Sequence, residues 1–164
     1  MRNGLILGGL LLVLGAVAGL VAQKEWVMRS GTTVLLELAP RDPRSLMQGD
    51  YMMLSYALSN QAGQRWEVPR DGQLVVALDA RSVATFVRWH GAEPLGPGEH
   101  LLRYRLREHW LRLGAEAFYF QEGQANLYAG ARYGELRVMD SGDAVLVGLR
   151  DAGLNPLGTA RPAW

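Results

Sequence analysis

An uncharged apolar run near the N-terminus constrains the fold of this chain more than any other feature. The run extends from Gly4 to Ala22 and has no strongly polar side chain over 19 residues. As an α-helix it would measure about 28 Å, close to the thickness of the bilayer hydrocarbon. Lys24 and Trp26 follow it, and both residue types are frequent at a membrane boundary. The run therefore predicts an N-terminal transmembrane helix over residues 1–24.

A cleaved signal peptide is the alternative interpretation of the same run. Ala16 and Ala18 would supply the small residues that precede a cleavage site, but the apolar run continues beyond them. Leu20 disrupts a site that would end at Ala22, so an uncleaved signal-anchor is favoured. As the only span, it would leave the N-terminus in the cytoplasm and hold residues 25–164 outside, as a periplasmic domain at the inner membrane of a bacterium.

The composition of residues 25–164 limits the classes of function. This part has 15 arginines against 16 acidic residues, whereas nucleic-acid-binding domains usually carry a basic surplus. The chain has no cysteine, which excludes disulfides, thiolate nucleophiles and thiolate metal sites. We therefore expect no nucleic-acid partner, and a domain that folds around an apolar core without disulfides.

Alternating apolar and polar residues predict one compact, mainly antiparallel β domain with one or two short helices. The clearest strand is "HLLRYRLRE", in which Leu102, Tyr104 and Leu106 alternate with arginines. The clearest hairpin is "ELRVMDSGDAVLVGLRD", with two alternating arms around Asp140 to Asp143. Further elements are strands at residues 32–40, 51–58 and 115–120, a hairpin at residues 74–78 and 83–89, a helical turn at residues 43–48, a loop at residues 59–64 and a short helix within residues 121–134 that ends at Gly134.

The stretch "QGDYMMLSY" begins its predicted strand in an unusual way, because glycine and aspartate are poor strand formers. Gly49 fits the end of the preceding helical turn, where a residue with positive φ is favoured. Asp50 fits a corner at which it accepts backbone N–H groups or pairs with Arg41 or Arg44. These two residues therefore predict a corner of the fold.

The side chains of the strand itself divide between two faces. Leu54 and Tyr56 share one face, which we expect to be buried, and Tyr51 points to the other. A structural role is therefore favoured for the segment. The functional alternative is that Asp50 and Tyr51 form a polar notch for a ligand or a partner.

Gly49, Asp50, Tyr51, Leu54 and Tyr56 together fit the signature of the GDYXXLXY family, which this chain resembles. The context is also similar, with "PRDPRSLMQGDY" leading into the motif and "EGQ" and "YGELRV" in the C-terminal half. The resemblance implies a small bacterial membrane-anchored protein with no established activity. Members are often found beside polytopic membrane proteins, which implies a partner in the membrane.

Enzymatic chemistry has little basis in the residue pattern. A Ser–Lys dyad needs a lysine beside a serine, and the only lysine is Lys24 at the membrane boundary. Asp140-Ser141-Gly142 is similar to a segment of aspartic peptidases, but it has no second copy and lies between two alternating arms, which favours a hairpin turn. His90, His100 and His109 are too far apart for a local metal motif, although the first two could meet in space. We therefore expect no metal ion and no cofactor.

Three arginines on one predicted strand are candidates for binding. Arg103, Arg105 and Arg107 form a ladder on one face. The ladder is either a solvated face paired with acidic neighbours or a surface for lipid phosphates or an acidic partner. Arg41 and Arg44, just before the motif, are further candidates for such contacts.

Glycines in the apolar run indicate a possible lateral contact. Gly4 and Gly8, and again Gly15 and Gly19, have small-xxx-small spacing, which lets another helix approach closely.

The interpretation most consistent with these features is a membrane-anchored envelope protein, a non-enzymatic accessory subunit that binds a polytopic membrane protein. The alternative is an extracytoplasmic binding module for an anionic lipid or a glycan. A hydrolase is the least favoured, since the pattern identifies neither a nucleophile–base pair nor a metal cluster.

Overall fold

The computed structural model describes residues 2–39, 47–48, 51–62, 69–107, 110–114 and 116–158 of the chain. Within these residues, a long N-terminal helix precedes eleven strands and two short helices. The helices are α1 (Arg2–Ser30), α2 (Ala57–Ala62) and α3 (Ala125–Tyr128). The strands are β1 (Thr32–Glu37), β2 (Met47–Gln48), β3 (Tyr51–Met53), β4 (Asp71–Leu78), β5 (Ala84–Trp89), β6 (Glu99–Arg107), β7 (Trp110–Arg112), β8 (Ala117–Tyr119), β9 (Tyr133–Val138), β10 (Ala144–Arg150) and β11 (Pro156–Leu157).

The described strands form three sheets. The first has the order β1-β9-β10-β11, the second β2-β3-β8 and the third β5-β4-β6-β7. Neighbouring strands within each sheet pair in the antiparallel sense. The predicted class, mostly antiparallel β with short helices, is therefore confirmed. The hairpins β4–β5 and β9–β10 and the long strand β6 also lie where the alternation predicts them.

Side chains from all three sheets form one apolar core. Strand β6 shows how the sequence pattern produces it, since Leu102 and Tyr104 are buried whereas Arg103 and Arg105 are exposed. Successive residues of a strand point to opposite faces, so one apolar face packs inward and one polar face meets water. Among the described residues, the largest fully buried side chains are those of Tyr56, Leu36, Met52, Leu74, Leu102, Leu113, Leu136, Leu149, Val34, Val75 and Val76.

The turn of the β4–β5 hairpin docks on the first sheet. The backbone N–H of Leu35 in β1 donates to the carbonyl of Ser82 at 2.8 Å. Ser82 has a φ of 64°, and the carboxylate of Asp79 accepts the N–H groups of Arg81 and Val83 at 2.8 and 2.9 Å. The aspartate thus holds the turn in the shape that reaches β1.

The turn of the β9–β10 hairpin docks in the opposite direction, on the third sheet. The N–H of Arg103 in β6 donates to the carbonyl of Gly142 at 2.9 Å, and the amide of Gln73 in β4 donates to the carbonyl of Ser141 at 2.8 Å. Gly142 has a φ of 78°. Each of the two sheets therefore receives a turn from the other, which fixes their relative position.

Helix α1 presents its apolar side chains to the surroundings. The side chains described from residue 6 to residue 22 are all exposed, and α1 lies near β9 and β10 of the domain. Within the residues that the structure describes, no helix is both long and apolar enough to cross a membrane. The predicted transmembrane span is therefore not confirmed.

The predicted strand over residues 51–58 is wrong beyond Met53. Strand β8 pairs with β3 as far as Ala117 opposite Met53, and the N–H of Leu54 then donates to the carbonyl of Glu116 at 2.7 Å. Tyr56 then forms an antiparallel bridge with Leu38, and α2 begins at Ala57 and takes in the first part of the predicted loop. The helix buries Leu58 in the core.

The predictions before the motif lie mostly outside the described residues. Met47–Gln48, predicted as the end of a helical turn, instead form β2, with Gln48 opposite Tyr51. Pairing with β3 gives their backbone groups partners that an isolated helical turn does not provide. Arg41, Arg44, Gly49 and Asp50 are not among the described residues, so the corner predicted for the last two remains a prediction.

The predicted helix end at Gly134 is also wrong. Helix α3 ends at Tyr128, and the carbonyl of that residue accepts the N–H of Ala131 at 3.0 Å. Gly134 lies within β9, opposite Leu36 of β1 and Leu149 of β10. A glycine there is explained by packing and not by a helix end.

The docked turn can be tested with two glycines of similar backbone conformation. An added Cβ at Gly142 would lie 3.1 Å from the backbone N of Arg103, whereas nothing lies within 4 Å of one at Gly123, which has a φ of 80°. We expect Gly123→Ala to lower the free energy of unfolding by about 1–2 kcal/mol through its positive φ alone. Gly142→Ala should cost about 1–3 kcal/mol more, because the turn must move away from β6. Urea denaturation of both variants measures the difference, and equal losses would contradict the docking.

Candidate functional site

The segment that carries the sequence motif forms one wall of a cavity of about 670 Å³. The walls come from residues 53–56 and Ser59 on one side, residues 110–114 and 116–117 on another, and residues 144–146 of β10. The volume lies in the range of small-ligand sites in proteins. The motif is therefore part of the core and also of a surface opening.

The side chains of the motif segment alternate between a buried face and an outer face. Met52, Leu54 and Tyr56 are buried at 2%, 5% and 2% exposure. Tyr51 is half-buried on the outer side, with its ring centroid 5.6 Å from that of Tyr119 on β8. The predicted burial of Leu54 and Tyr56 and the opposite direction of Tyr51 agree with this arrangement.

The ring of Tyr56 packs closely on Gly134, where any larger residue would make tight contacts. A Cβ added at Gly134 would come within 3.1 Å of Tyr56 Cε1 and 3.3 Å of Leu146 Cδ1. The backbone of Tyr56 also forms an antiparallel bridge with Leu38, just beyond β1. Burial, and in second place the carboxylate of Glu116, raises the pKa of the Tyr56 phenol well above its ordinary value. The ring is thus a neutral, buried part of the cavity floor.

Each arginine of the predicted ladder has an acidic neighbour. Arg103 lies 3.1 Å from Asp143, while Arg105 and Arg107 lie 3.8 and 3.9 Å from Asp71. All of these side chains are about half exposed. The alternative of a solvated face with acidic neighbours therefore describes the contacts, and exposed pairs of this kind contribute only about 0–1 kcal/mol each.

A fourth arginine extends the ladder across the sheet. Arg112 of β7 lies directly opposite Arg105, and Trp110 lies opposite Arg107. Arg112 forms an ion pair with Glu116 at 3.6 Å. Like charges directly opposite each other on neighbouring strands are destabilising, so this placement concentrates positive charge at a cost in stability.

These arginines border a second cavity of about 400 Å³. Its lining includes the four arginines, together with the carboxylates of Glu116 and Asp143. Both cavities include Arg112, Leu113, Gly114, Glu116 and Ala144, so the two openings share one wall. An apolar opening at the motif and a positively charged one thus adjoin each other.

The segment Asp140-Ser141-Gly142 is a hairpin turn, as its flanking arms predict. Its carbonyls bond to β4 and β6, and the Ser141 hydroxyl donates to Asp143 at 2.9 Å. These contacts give the segment a structural role in joining the sheets.

His90 and His100 lie directly after β5 and within β6 of the third sheet. The backbone N–H of His90 donates to the backbone carbonyl of Gln73 at 3.0 Å, and His100 lies opposite Val76 where β6 pairs with β4. His109 is outside the described residues. In the part of the chain that is described, no group of three or more histidine or carboxylate side chains is placed to hold a metal ion.

Gly8, Gly15 and Gly19 of α1 face open space. Nothing lies within 4 Å of a Cβ added at Gly8, Gly15 or Gly19. Gly4 lies in the same helix. The small-xxx-small spacing of Gly15 and Gly19 is therefore available on an exposed surface.

Three residues of the cavity walls were not predicted from the sequence as site residues: Trp110, Arg112 and Glu116. The sequence holds a signal for the first two, because Leu111 and Leu113 alternate with Trp110 and Arg112 directly after the alternation of β6. Two consecutive alternating runs suggest a strand pair. Only the pairing of β6 with β7 decides which residues of the two strands lie opposite each other.

The sequence matches the model of a known protein family. Residues 13–149 match the model of the family described as GDYXXLXY protein. The chain belongs to the GDYXXLXY family. A search of curated proteins and a search of solved structures each returned no match. The family resemblance inferred from the motif is confirmed, and the matched region of this GDYXXLXY protein runs from within α1 to the end of β10.

The packing of Tyr56 on Gly134 can be tested with two glycines from neighbouring strands. Gly134→Ala would force the Cβ against the Tyr56 ring, and we expect it to lower the free energy of unfolding by about 1–3 kcal/mol. Gly148→Ala in β10 is the control, because its Cβ would approach no atom closer than 4.0 Å. Thermal or urea denaturation should leave this control close to the wild-type protein. Equal stability of both variants would contradict the close approach.

The raised pKa of Tyr56 predicts a loss of stability at alkaline pH. In the unfolded chain a tyrosine releases its proton near pH 10, while the folded state still holds it, so the unfolded state binds fewer protons. The free energy of unfolding should therefore fall as pH rises above about 10, by up to about 1.4 kcal/mol per pH unit for this group. Tyr56→Phe should reduce the slope. Burial also raises the pKa of Tyr104, which contributes a slope common to both proteins.

Urea titrations at several pH values between about 9 and 11.5 measure these slopes. The prediction concerns the slope and not the absolute stability, because the Phe variant also loses the contacts of the hydroxyl. An unchanged slope in Tyr56→Phe would contradict it.

Proposed function

We propose that this GDYXXLXY protein is a membrane-anchored, non-enzymatic accessory subunit of the bacterial envelope that binds a polytopic membrane protein. The single observation that carries the proposal is the exposure of the apolar side chains of α1. The domain then lies outside the inner membrane, as the sequence run predicts, and the partner is contacted by the helix and by the outer surface.

The exposure of α1 extends around the whole helix. Five consecutive residues, Leu10 to Leu14, are each 55–74% exposed. Successive helical residues are about 100° apart, so these five side chains point in all directions around the axis. A helix that is apolar on all sides is stable inside a membrane or a large core, and not in water.

The length of the apolar sequence is compatible with lipid as the surrounding. The uncharged run from Gly4 to Ala22 corresponds to about 28 Å of helix, and α1 continues to Ser30. We propose that lipid surrounds this run on every face except one. The remaining face carries Gly8, Gly15 and Gly19, where open space around each glycine suits close contact with a helix of the polytopic partner.

A second candidate function is an extracytoplasmic binding module for an anionic lipid or a glycan. The observation that favours it is the cavity lined by four arginines, which adjoins the cavity at the motif. Arginine suits bidentate contacts with phosphate and carboxylate groups. A hydrolase remains the least supported of the three functions.

Flotation with phosphatidylcholine vesicles tests the anchor. We expect the full chain to float, and Leu10→Arg/Leu14→Arg to abolish flotation, because each arginine costs about 2.5–3.5 kcal/mol at the centre of a membrane helix. Leu127→Arg is the matched control, since Leu127 is 52% exposed on α3 of the domain. This control should float like the wild-type protein. A double variant that floats as well as the wild type would contradict the proposed anchor.

Co-purification from native membranes tests the partner. Gly15→Leu/Gly19→Leu should lose a membrane protein that the wild type retains, because the added side chains keep the two helices apart. Val13→Leu/Val17→Leu has the same spacing and is the control, which should retain the partner. A polytopic protein that co-purifies equally with all three chains would argue against the glycine contact, and the absence of any specific membrane protein would contradict the accessory role.

A further inference from the structure

The two adjoining cavities have opposite chemical character. The cavity at the motif is bordered by the apolar side chains of Met53, Trp110 and Leu146, of which Met53 and Trp110 are 37% and 57% exposed. The neighbouring cavity is bordered by four arginines. An exposed apolar surface beside concentrated positive charge matches the two parts of an anionic amphiphile.

The shared wall brings these two parts within reach of one molecule. Arg112 and Glu116 belong to both cavities, and Arg112 lies directly opposite Arg105 on the neighbouring strand. A headgroup held between the two arginines would thus lie at the boundary, with the apolar cavity on one side. Gly114, which has no side chain, and Ala144 also belong to the shared wall.

The charge of this surface favours an anion in spite of the ion pairs already present. The arginines outnumber the carboxylates of the lining, which are those of Glu116 and Asp143. The existing pairs are those of Arg103 with Asp143, of Arg105 and Arg107 with Asp71, and of Arg112 with Glu116, at 3.1 to 3.9 Å. Their side chains are 33–66% exposed, so the pairs are weak and readily exchanged. A phosphate group accepts bidentate, charge-assisted hydrogen bonds from arginine, which are stronger than such pairs.

We propose that the two cavities together bind an anionic phospholipid, with the phosphate at Arg105 and Arg112 and one acyl chain against Met53, Trp110 and Leu146. The inference rests on the proposed location of the domain at a membrane, where such lipids are available. It goes beyond the surface ladder that the sequence predicts, because the apolar wall and Arg112 come from other strands. The motif then has a ligand-facing role in addition to its role in the core.

Equilibrium binding of lysophosphatidylglycerol to the full chain in a nonionic detergent tests this inference. Monoacylglycerol, which lacks the phosphate, and glycerol phosphate, which lacks the acyl chain, are the comparison probes. We expect each of them to bind roughly tenfold or more weakly than the complete lysolipid, since each forms only part of the contacts. Binding of glycerol phosphate as tight as that of the lysolipid would overturn the acyl site, and equally tight monoacylglycerol would overturn the phosphate site.

Variants of the arginines locate the site. Arg105→Gln/Arg112→Gln should weaken lysolipid binding roughly tenfold or more, because charge-assisted contacts to the phosphate are lost. Arg105→Lys/Arg112→Lys keeps the charge without the bidentate geometry and should recover part of the affinity. The matched control is Arg81→Gln, since Arg81 is also exposed and lies 3.5 Å from an aspartate, Asp79, in the β4–β5 turn. Unchanged binding by the Gln double variant, or an equal loss in the control, would overturn the site.

The experiment separates this inference from the proposed anchor. Flotation with phosphatidylcholine vesicles depends on α1, whose run from Gly4 to Ala22 carries no charge. A chain that floats but binds the lysolipid no better than monoacylglycerol would retain the anchor and lose the lipid site. A chain that fails to float but binds the lysolipid through Arg105 and Arg112 would lose the anchor alone.

Discussion

The contact between the ring of Tyr56 and the backbone of Gly134 is the constraint on which the rest of the domain depends. It joins the motif segment, which follows the second sheet, to β9 at the centre of the first sheet. A Cβ at residue 134 would lie 3.1 Å from Tyr56 Cε1, closer than ordinary van der Waals contact. Because Tyr56 also lines the cavity, the same contact that closes the core shapes the candidate site.

The two docked turns hold the sheets around this contact. The turn at Ser82 bonds to β1, and the turn at Gly142 bonds to β6, so each hairpin bridges from its own sheet to the other. Backbone hydrogen bonds of this kind are directional, and they fix the sheets more narrowly than apolar burial alone. The side wall of the two cavities includes Ala144, which directly follows the second of these turns in the chain. The scaffold and the candidate site therefore share elements.

The proposed functions place two surfaces of one chain in two environments. Helix α1 presents apolar side chains that have no apolar cover within the described residues, and the third sheet presents arginines beside an apolar opening. In this proposal, the first surface holds the chain at a membrane, where lipid headgroups are available to the second. The attraction between arginine and anionic headgroups falls off within about 10 Å in salt solution, so proximity is needed for such contacts.

Much of the fold and part of the site could be predicted from the sequence. The alternation in β6 and in the β9–β10 hairpin indicated both the strands and their buried faces, because the side chains of a strand alternate with period two. The motif letters also identified the family. The end of β3 at Met53 could not be predicted in the same way, since it depends on long-range pairing: Met53 lies opposite Ala117, the first residue of β8, and Tyr56 already pairs with Leu38.

Tertiary structure alone decided the role of Gly134 and the composition of the cavities. The sequence around Gly134 is typical of a helix end. In the structure, Gly134 instead lies in β9 between β1 and β10, and its lack of a side chain accommodates the ring of Tyr56. Arg105 and Arg112 lie seven positions apart in the chain, and only the antiparallel pairing of β6 with β7 places them side by side. Local sequence thus determined most of the strands and which of their faces are apolar, because alternation depends on neighbouring residues. Long-range pairing determined which polar residues meet, because that depends on the register between strands.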